Sequence, residues 1–235
     1  MRFGPLPPSF TNTYSLNFDG VDDLQVGSSS LGITNGISIS LWVKTTDTSS
    51  GFKQIIGEYN WGNSSQRNWL LYLSNVGNRI AFLSYNDAGQ ITINTVDTTV
   101  DRIVDDNWHH ILVTWDNTTN ANAFKIFFDS NIIVQVTPTL TGIRSVASIP
   151  VYIASGLNST TYLDSNLNNI AVWDNDQSAN INTIYNNGRP GDLSSLSPLL
   201  WYRFEEGSGT TAIDSGTGGN NGTISGATYS TDVPT

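Results

Sequence analysis

The sequence contains no cysteine, so disulfide bonds cannot form and cysteine usage does not assign the protein to a redox compartment. No stretch approaches the roughly 18 consecutive apolar residues that a membrane-spanning helix requires. The N-terminal residues lack the apolar segment of a secretory signal, so we predict no signal peptide. Glutamate is scarce, with 3 residues beside 17 aspartates, and this shortage disfavours long surface helices.

Positive charge is scarce as well. Lys and Arg together number 10 and face 20 Asp and Glu, which leaves a formal net charge of −10 at pH 7. A chain of this charge repels phosphate backbones and anionic lipid headgroups, so neither nucleic acids nor membranes are expected partners. The aspartates make a calcium site conceivable, although most of them are expected to form turns.

The abundant residues indicate short β-strands that pack well, because the chain contains 7 Trp, 9 Tyr and 9 Phe. Residues 107–116, NWHHILVTWD, alternate with a period of two and are apolar on both faces. We therefore predict a deep central strand that is covered on both sides, with Trp108, Ile111, Val113 and Trp115 in the core. The two adjacent histidines of this strand must project to opposite faces and cannot act as a pair.

Turn-forming residues separate further alternating stretches at intervals of about 8–12 residues, which favours a β-sandwich over a βαβ fold. We predict an N-terminal arm over residues 1–12 and a single domain over residues 13–235. A strand predicted over residues 199–206 has apolar residues on both faces, so it must be covered and paired with another strand.

Two local structures are also predicted. Residues 178–185 place apolar side chains on one helical face, and Asp174 and Asp176 are predicted to cap this short helix. Ser130 and Asn131 are predicted to form the turn of a β-hairpin.

Several of these stretches carry a family resemblance. The stretches SLNFDGVDDLQV, ISISLWVK and DDNWHHILVTWD resemble strands of the laminin-G-like domains of the concanavalin A-like lectin/glucanase superfamily. The resemblance implies an all-β antiparallel sandwich of the jelly-roll type with one short helix. The C-terminal stretch LLWYRFEEGSG resembles the segment that ordinarily precedes the first of these strands, so the order is rotated here. We therefore predict that residues 199–235 complete the sandwich, either of their own chain or of a neighbouring copy.

One turn is a candidate metal site. It holds Asp19, Asp22 and Asp23, and carboxylate oxygens in a flexible loop suit calcium. In the domains that this chain resembles, such a loop can meet the strand that carries Asn168 here. The resemblance thus implies a structural calcium ion held by Asp19, Asp22 and Asn168. The alternative is an Asx-rich turn without an ion.

The candidate glycan-binding residues are Trp61, Tyr59, Arg67 and Tyr85, which the strand prediction places near one rim of the sandwich. A sugar stacks its apolar face on an aromatic ring, while polar side chains bond its hydroxyl groups. Trp61, between Asn60 and a glycine, is predicted to be exposed. Five other tryptophans are predicted to be core residues: Trp42, Trp69, Trp108, Trp115 and Trp173.

Catalysis is not expected. Glycoside hydrolysis requires two carboxyl groups roughly 5–10 Å apart. Glu58 is alone on its predicted strand, and the neighbours Glu205 and Glu206 point to opposite faces. The Glu-x-Asp-x-Glu strand of the superfamily's glucanases is missing, so we predict that the protein is not an enzyme.

The chain also resembles lectin-like proteins of phage virions, which decorate capsids, tails or fibres. We therefore predict a non-catalytic lectin-like module, at the virion surface or extracellular, that binds glycans or mediates adhesion. Its expected partners are glycans or other virion proteins, and it is a candidate homo-oligomer. One alternative is a structural assembly or cement protein without a glycan ligand, and the other is a glycoside hydrolase.

Overall fold

The computed structural model describes residues 10–74, 79–97, 103–157 and 162–235. Alternating apolar residues form the strands, and the predicted all-β sandwich with one short helix is confirmed. In chain order the strands are β1 (Ser15–Asp19), β2 (Asp23–Val26), β3 (Ile37–Lys44), β4 (Lys53–Tyr59), β5 (Arg67–Leu73), β6 (Ile80–Tyr85), β7 (Ile91–Val96), β8 (His109–Trp115), β9 (Phe124–Phe128), β10 (Asn131–Val136), β11 (Val151–Ile153), β12 (Asp164–Trp173), β13 (Leu200–Tyr202), β14 (Thr211–Ala212), β15 (Gly222–Ser225) and β16 (Thr228–Ser230).

The strands form two antiparallel sheets. The first sheet has the order β10-β9-β8-β3-β12-β1-β16, with β13 also paired to β12. The second sheet has the order β14-β15-β2-β11-β4-β5-β6-β7. Their inner faces enclose the main apolar core. The outer face of each sheet is directed away from this core. In the described part of the chain, no helix has the length and apolar character needed to cross a membrane.

Strand β8 lies deep in the first sheet, between β3 and β9. Ile111, Val113 and Trp115 are fully buried between the two sheets. On the other face, Leu112 packs with Trp173 and other residues in a second apolar cluster. The prediction of a central strand covered on both sides is therefore confirmed.

Trp108 is not a core residue, and its predicted placement is wrong. It precedes the first paired residue of β8, His109, which lies opposite Val43. Because the sheet has ended there, the ring is only half-buried, and its Nε1 donates a hydrogen bond to Asp232 Oδ1 at 2.8 Å. The other four tryptophans predicted to be in the core are all buried: Trp42, Trp69, Trp115 and Trp173.

The predicted helix is present but only partly α-helical. A 3₁₀ turn over Ser178–Asn180 leads into α1 (Ile181–Tyr185). Ile184 is buried in the second cluster, and the Tyr185 ring stacks on Trp42 at a centroid distance of 5.8 Å. Helix α1 therefore covers part of the outer face of the first sheet.

The two predicted caps behave differently. Asp176 Oδ1 accepts a hydrogen bond from Ser178 N at 2.7 Å, at the entry to the 3₁₀ turn. Asp174 Oδ1 instead accepts from Thr34 N at 2.8 Å and from Asn35 N at 2.9 Å. Asp174 thus fixes the loop before β3, and its assignment as a helix cap is wrong.

The turn between β9 and β10 begins one residue earlier than predicted. Asp129 and Ser130 have φ values of 46° and 65°, whereas Asn131 already pairs with Phe128. Positive φ at both central residues is typical of the type I′ turn, which matches the twist of the flanking strands. The side chain of Asp129 supports this strained backbone, because its Oδ1 accepts a hydrogen bond from His110 N at 2.8 Å.

Residues 199–235 contribute strands to both sheets of their own chain. Strand β13 pairs with β12, β15 pairs with β2, and β16 pairs with β1. The predicted strand over 199–206 ends at Tyr202, because Phe204 adopts a left-handed conformation with φ 62°. Ser15 lies opposite Ser230, so both ends of the domain leave from the same place.

Part of the predicted N-terminal arm, residues 1–9, lies outside the described residues. Of the remainder, Phe10 stacks on Trp201 at a centroid distance of 6.3 Å. Asn12 Nδ2 donates a hydrogen bond to Pro234 O at 2.9 Å, which joins the two ends of the chain.

Candidate functional site

The four candidate glycan-binding residues meet in one depression of about 390 Å³ on the outer face of the second sheet. Tyr59 ends β4 and Arg67 begins β5, and the two residues are paired across these strands. Trp61 follows Tyr59 in the connecting loop, and Tyr85 ends the adjacent strand β6. These four residues thus lie at one end of the three consecutive strands β4, β5 and β6, and the pocket extends from them along the outer face toward Phe52 and Tyr72.

The aromatic rings of this pocket contact one another. The Tyr59 ring lies 5.0 Å from Trp61 at an interplanar angle of 63°, and 6.5 Å from Tyr85. Tyr59 is only 4% exposed, so its ring forms the floor of the pocket rather than its rim.

Trp61 is half-buried and not exposed as predicted, because the loop that carries it contacts the segment at Gly156 and Leu157. Its backbone N donates a hydrogen bond to Leu157 O at 3.0 Å. A Cβ added to Gly156 would lie 2.5 Å from Trp61 Nε1, so the indole lies close against the glycine backbone. The loop therefore holds the ring at the side of the pocket.

Sequence reasoning missed several residues of the pocket. Phe52 is 41% exposed at the rim, and its ring lies 6.0 Å from Trp61 and 5.9 Å from Tyr72. Leu70 and Tyr72 are nearly buried on the floor, although they alternate with the inward-facing core residues of β5. An outward face of an antiparallel sandwich is usually polar. Apolar side chains on the outer positions of β5 were therefore a signal that this face is covered or binds something.

Arg67 supplies the only charge among the described residues that line the pocket. Its Nε donates to Asn60 O at 3.3 Å, its Nη2 donates to Trp61 O at 3.2 Å, and its Cζ lies 4.9 Å from the Tyr59 ring centroid. Burial raises the pKa of Tyr59, and the nearby Tyr85 raises it further, so the phenol stays neutral. The pocket thus combines an apolar floor with one positioned cation.

Glu58 does not belong to the pocket, although it neighbours Tyr59 in the sequence. It is fully buried on the inner side of β4, and burial raises the pKa of its carboxyl group. It accepts hydrogen bonds from Ser30 Oγ at 2.8 Å, Leu31 N at 2.6 Å and Asn68 Nδ2 at 2.7 Å. These contacts give Glu58 a structural role.

The other two glutamates also hold backbone in place. Glu205 Oε1 accepts from Thr13 N at 2.8 Å, and Glu206 Oε1 accepts from Ile213 N at 2.8 Å. Glu206 Oε2 further accepts a hydrogen bond from Tyr229 Oη at 3.0 Å. All three glutamates of the chain are therefore engaged in contacts within the fold, away from the aromatic pocket.

Asn168 does not join the aspartate turn, so its predicted role as a ligand there is wrong. The β1–β12 register places Asp164 opposite Asp19. Asn168 lies four residues further along β12, which is about 13 Å at the rise of a β-strand. It is fully buried, and its amide donates a hydrogen bond to Tyr14 O at 2.7 Å.

Asp19 and Asp22 do lie together. Asp19 Oδ1 accepts from Val21 N at 3.2 Å, and Asp22 Oδ2 accepts from Asp19 N at 3.2 Å, as in an Asx-rich turn. Burial raises the pKa of Asp22, and the charge of Asp19 also acts to raise it. Within the described ranges, no group of three or more His, Cys, Asp or Glu side chains is arranged to hold a metal ion. Asn168 thus lies away from the turn, and calcium at Asp19 and Asp22 stays a prediction.

The two histidines occupy separate environments, as their alternation requires. His109 contacts Asp129 Oδ2 at 2.7 Å and Asp105 Oδ1 at 3.1 Å. Burial acts to lower the pKa of His109, but these two carboxylates raise it above its usual value. His110 is fully buried on the other face, where desolvation lowers its pKa to about 3.

Comparison with known families agrees with this architecture. A sequence model of the concanavalin A-like lectin/glucanases superfamily matches residues 18–181, which is most of the chain. The chain belongs to this superfamily. No protein of curated function has a significantly similar sequence.

Solved structures with the concanavalin A-like fold include three similar chains. A candidate carbohydrate-binding protein from Bacteroides ovatus superposes with a TM-score of 0.72 at 18% identity, over 96% of this chain and 62% of that one. A heptameric SAP-like pentraxin from Limulus polyphemus gives 0.51 at 11% identity, over 74% of this chain and 82% of that one. Domain 4 of AbnA, a GH43 extracellular arabinanase from Geobacillus stearothermophilus, was solved in complex with arabinotriose. It superposes with a TM-score of 0.51 at 14% identity, over 72% of this chain and 75% of that one. At these identities the likeness concerns the fold, and the chain spans less than two thirds of the Bacteroides protein.

Proposed function

We propose that the protein is a non-catalytic glycan-binding module that holds its ligand in the aromatic pocket of the second sheet. The observation that carries this proposal is the convergence of Tyr59, Trp61, Tyr85 and Arg67 in one depression, with Phe52 exposed at its rim. Aromatic rings receive the apolar face of a sugar, and an arginine can bond its oxygen atoms. The candidate carbohydrate-binding protein and the arabinotriose-bound domain, which share the fold, support this use of it.

The distribution of carboxylates supports binding rather than hydrolysis. No aspartate or glutamate occurs among the described residues that line the pocket. Hydrolysis of a glycosidic bond needs a pair of carboxyl groups facing the sugar. A glycoside hydrolase is therefore the less supported alternative, and release of sugar from a bound oligosaccharide would be evidence for it.

The proposal is tested on an oligosaccharide array with Phe52→Ala. Phe52 is 41% exposed, so its removal should weaken stacking and leave the melting temperature nearly unchanged. A lost aromatic contact is worth about 1 kcal/mol, which corresponds to a roughly fivefold weaker affinity. The matched control is Ile132→Ala, a 49% exposed apolar residue on the other sheet, which should bind as the wild type does.

Two results would contradict glycan binding at this pocket. The first is an array without any bound glycan, which would favour a structural assembly or cement protein. The second is equal binding by the wild type and by Phe52→Ala, which would place the ligand elsewhere.

The place of action is a separate part of the proposal. A virion-surface or extracellular location is supported by the sequence resemblance alone. Mass spectrometry of purified particles would detect the chain among their proteins, and light scattering would determine whether it forms a homo-oligomer. Absence from particles would leave an extracellular lectin-like module.

A further inference from the structure

The unused donors of Arg67 indicate which glycans the pocket prefers. The arginine side chain has five N–H donors in a planar fork. Its Nε and Nη2 bond the carbonyl oxygens of Asn60 and Trp61, so the side edge of the guanidinium is occupied. The end edge, formed by Nη1 and the second N–H of Nη2, has no hydrogen bond among the described contacts. Two parallel N–H donors on one edge match the two oxygens of a carboxylate.

The surroundings of Arg67 favour such a contact. Its guanidinium lies 4.9 Å from the centroid of the Tyr59 ring, and the two carbonyl contacts prevent it from turning away. Tyr59, Leu70 and Tyr72 beneath it are all less than 10% exposed. An ion pair formed above this apolar floor is less screened than one in open water. Within the described part of the chain, no acidic side chain forms an ion pair with Arg67 that would compete for the position.

The net charge of the protein means that an anionic glycan can be attracted only by a local positive charge. With a net charge of −10, the protein does not attract anionic ligands through its general field. An acidic glycan must therefore be selected locally, by a positioned cation inside an aromatic pocket whose described lining residues include no carboxylate.

We propose that the pocket selects glycans that carry a carboxylate, such as uronic or sialic acids. The carboxylate accepts two hydrogen bonds from the end edge of Arg67, while the sugar ring lies against Trp61 and Phe52. This inference rests on the proposed glycan-binding function and narrows its ligand class.

The test compares each acidic sugar with its own methyl ester, in which a methyl group on one oxygen removes the charge of the carboxyl group and the rest of the sugar is unchanged. An array carries neutral, sulfated, sialylated and uronic oligosaccharides, with each carboxylated glycan printed as acid and as ester. We expect the wild type to bind acids about 10 to 100 times more tightly than their esters, the range of a charge-assisted bidentate contact. Arg67→Gln should bind acid and ester equally, and Arg67→Lys should recover part of the preference. Arg189→Gln, which removes an exposed arginine at a different surface, is the matched control.

The outcomes separate the two proposals. Equal binding of acids and esters by the wild type, a preference for neutral glycans, or a preference for sulfated over carboxylated glycans would overturn this inference and leave glycan binding intact. An array without any bound glycan would overturn both. The acid and ester comparison uses the wild type, so it decides the question even if an Arg67 variant disturbs the loop at Asn60.

Discussion

Replacing His110 with glutamine should make the protein markedly less sensitive to acid. The imidazole is fully buried on the outer side of β8, with its Nε2 2.9 Å from Ser40 Oγ. Its ring lies 5.1 Å from Trp42 and 5.7 Å from Tyr185, so a charge there would be surrounded by aromatic groups. Desolvation therefore lowers the pKa of His110 to about 3.

The size of the effect follows from the difference between the folded and unfolded states. The unfolded histidine has a pKa near 6.5, so it takes up a proton that the folded state refuses until about pH 3. The stability linked to neutral His110 is thus fully present above pH 6.5 and is lost as the pH falls. At pH 4 the loss covers roughly 2.5 pH units at about 1.36 kcal/mol each, or about 3 kcal/mol of unfolding free energy.

The assay is urea denaturation followed by tryptophan fluorescence at pH 7 and pH 4. We expect the wild type to lose about 3 kcal/mol more than His110→Gln between these pH values, because only the wild type carries this titration. The carboxylates are the same in both proteins, so their contribution cancels when the change in unfolding free energy between the two pH values is compared between the wild type and His110→Gln. His109→Gln is the matched control, since the pKa of His109 is raised and its linked stability is lost only as the pH rises above 6.5. Equal acid sensitivity of the wild type and His110→Gln would refute the reasoning.

Three further predictions concern the fold and the candidate ion. Trp115→Ala should lower the unfolding free energy by about 3–5 kcal/mol, whereas Trp108→Ala should cost about 1 kcal/mol because its ring is half-buried; similar losses in urea titrations would contradict this difference. Deleting residues 199–235 removes strands from both sheets, so the near-ultraviolet circular dichroism should vanish, and a folded monomeric product would show that these strands are dispensable. If calcium binds at the turn, it should raise the melting temperature of the wild type and not that of Asp22→Asn. Identical melting temperatures of the wild type with calcium and with a chelator would show that no calcium binds there.

The strands of the fold were predictable because their side-chain periodicity is strict. In β3, the four aliphatic residues Ile37, Ile39, Leu41 and Val43 are all buried in the core between the sheets. They alternate with side chains on the outer face: Ser38, Ser40, Trp42 and Lys44. A period of two can be satisfied only by an extended chain with one face inward, so local pattern and tertiary structure agree. The convergence of Tyr59 and Arg67 follows for the same reason, since consecutive antiparallel strands bring their connected ends together.

Features that depend on register or on distant segments were not predictable in this way. Asn168 was expected beside Asp19, but the strand pairing places Asp164 there, and periodicity does not determine how far one strand slides along another. The sequence also could not show that Gly156 would lie close to Trp61, because the two residues are nearly a hundred positions apart in the chain.

The adjacency of the two chain ends has a mechanical consequence. Ser15 and Ser230 face each other on neighbouring antiparallel strands, and the ends of the domain leave from that side. A force that pulls the two ends apart therefore loads the hydrogen bonds between β1 and β16 one pair at a time, as in a zipper. A domain anchored at both ends would therefore open at low force, whereas a domain anchored at one end alone carries no load across this pair of strands.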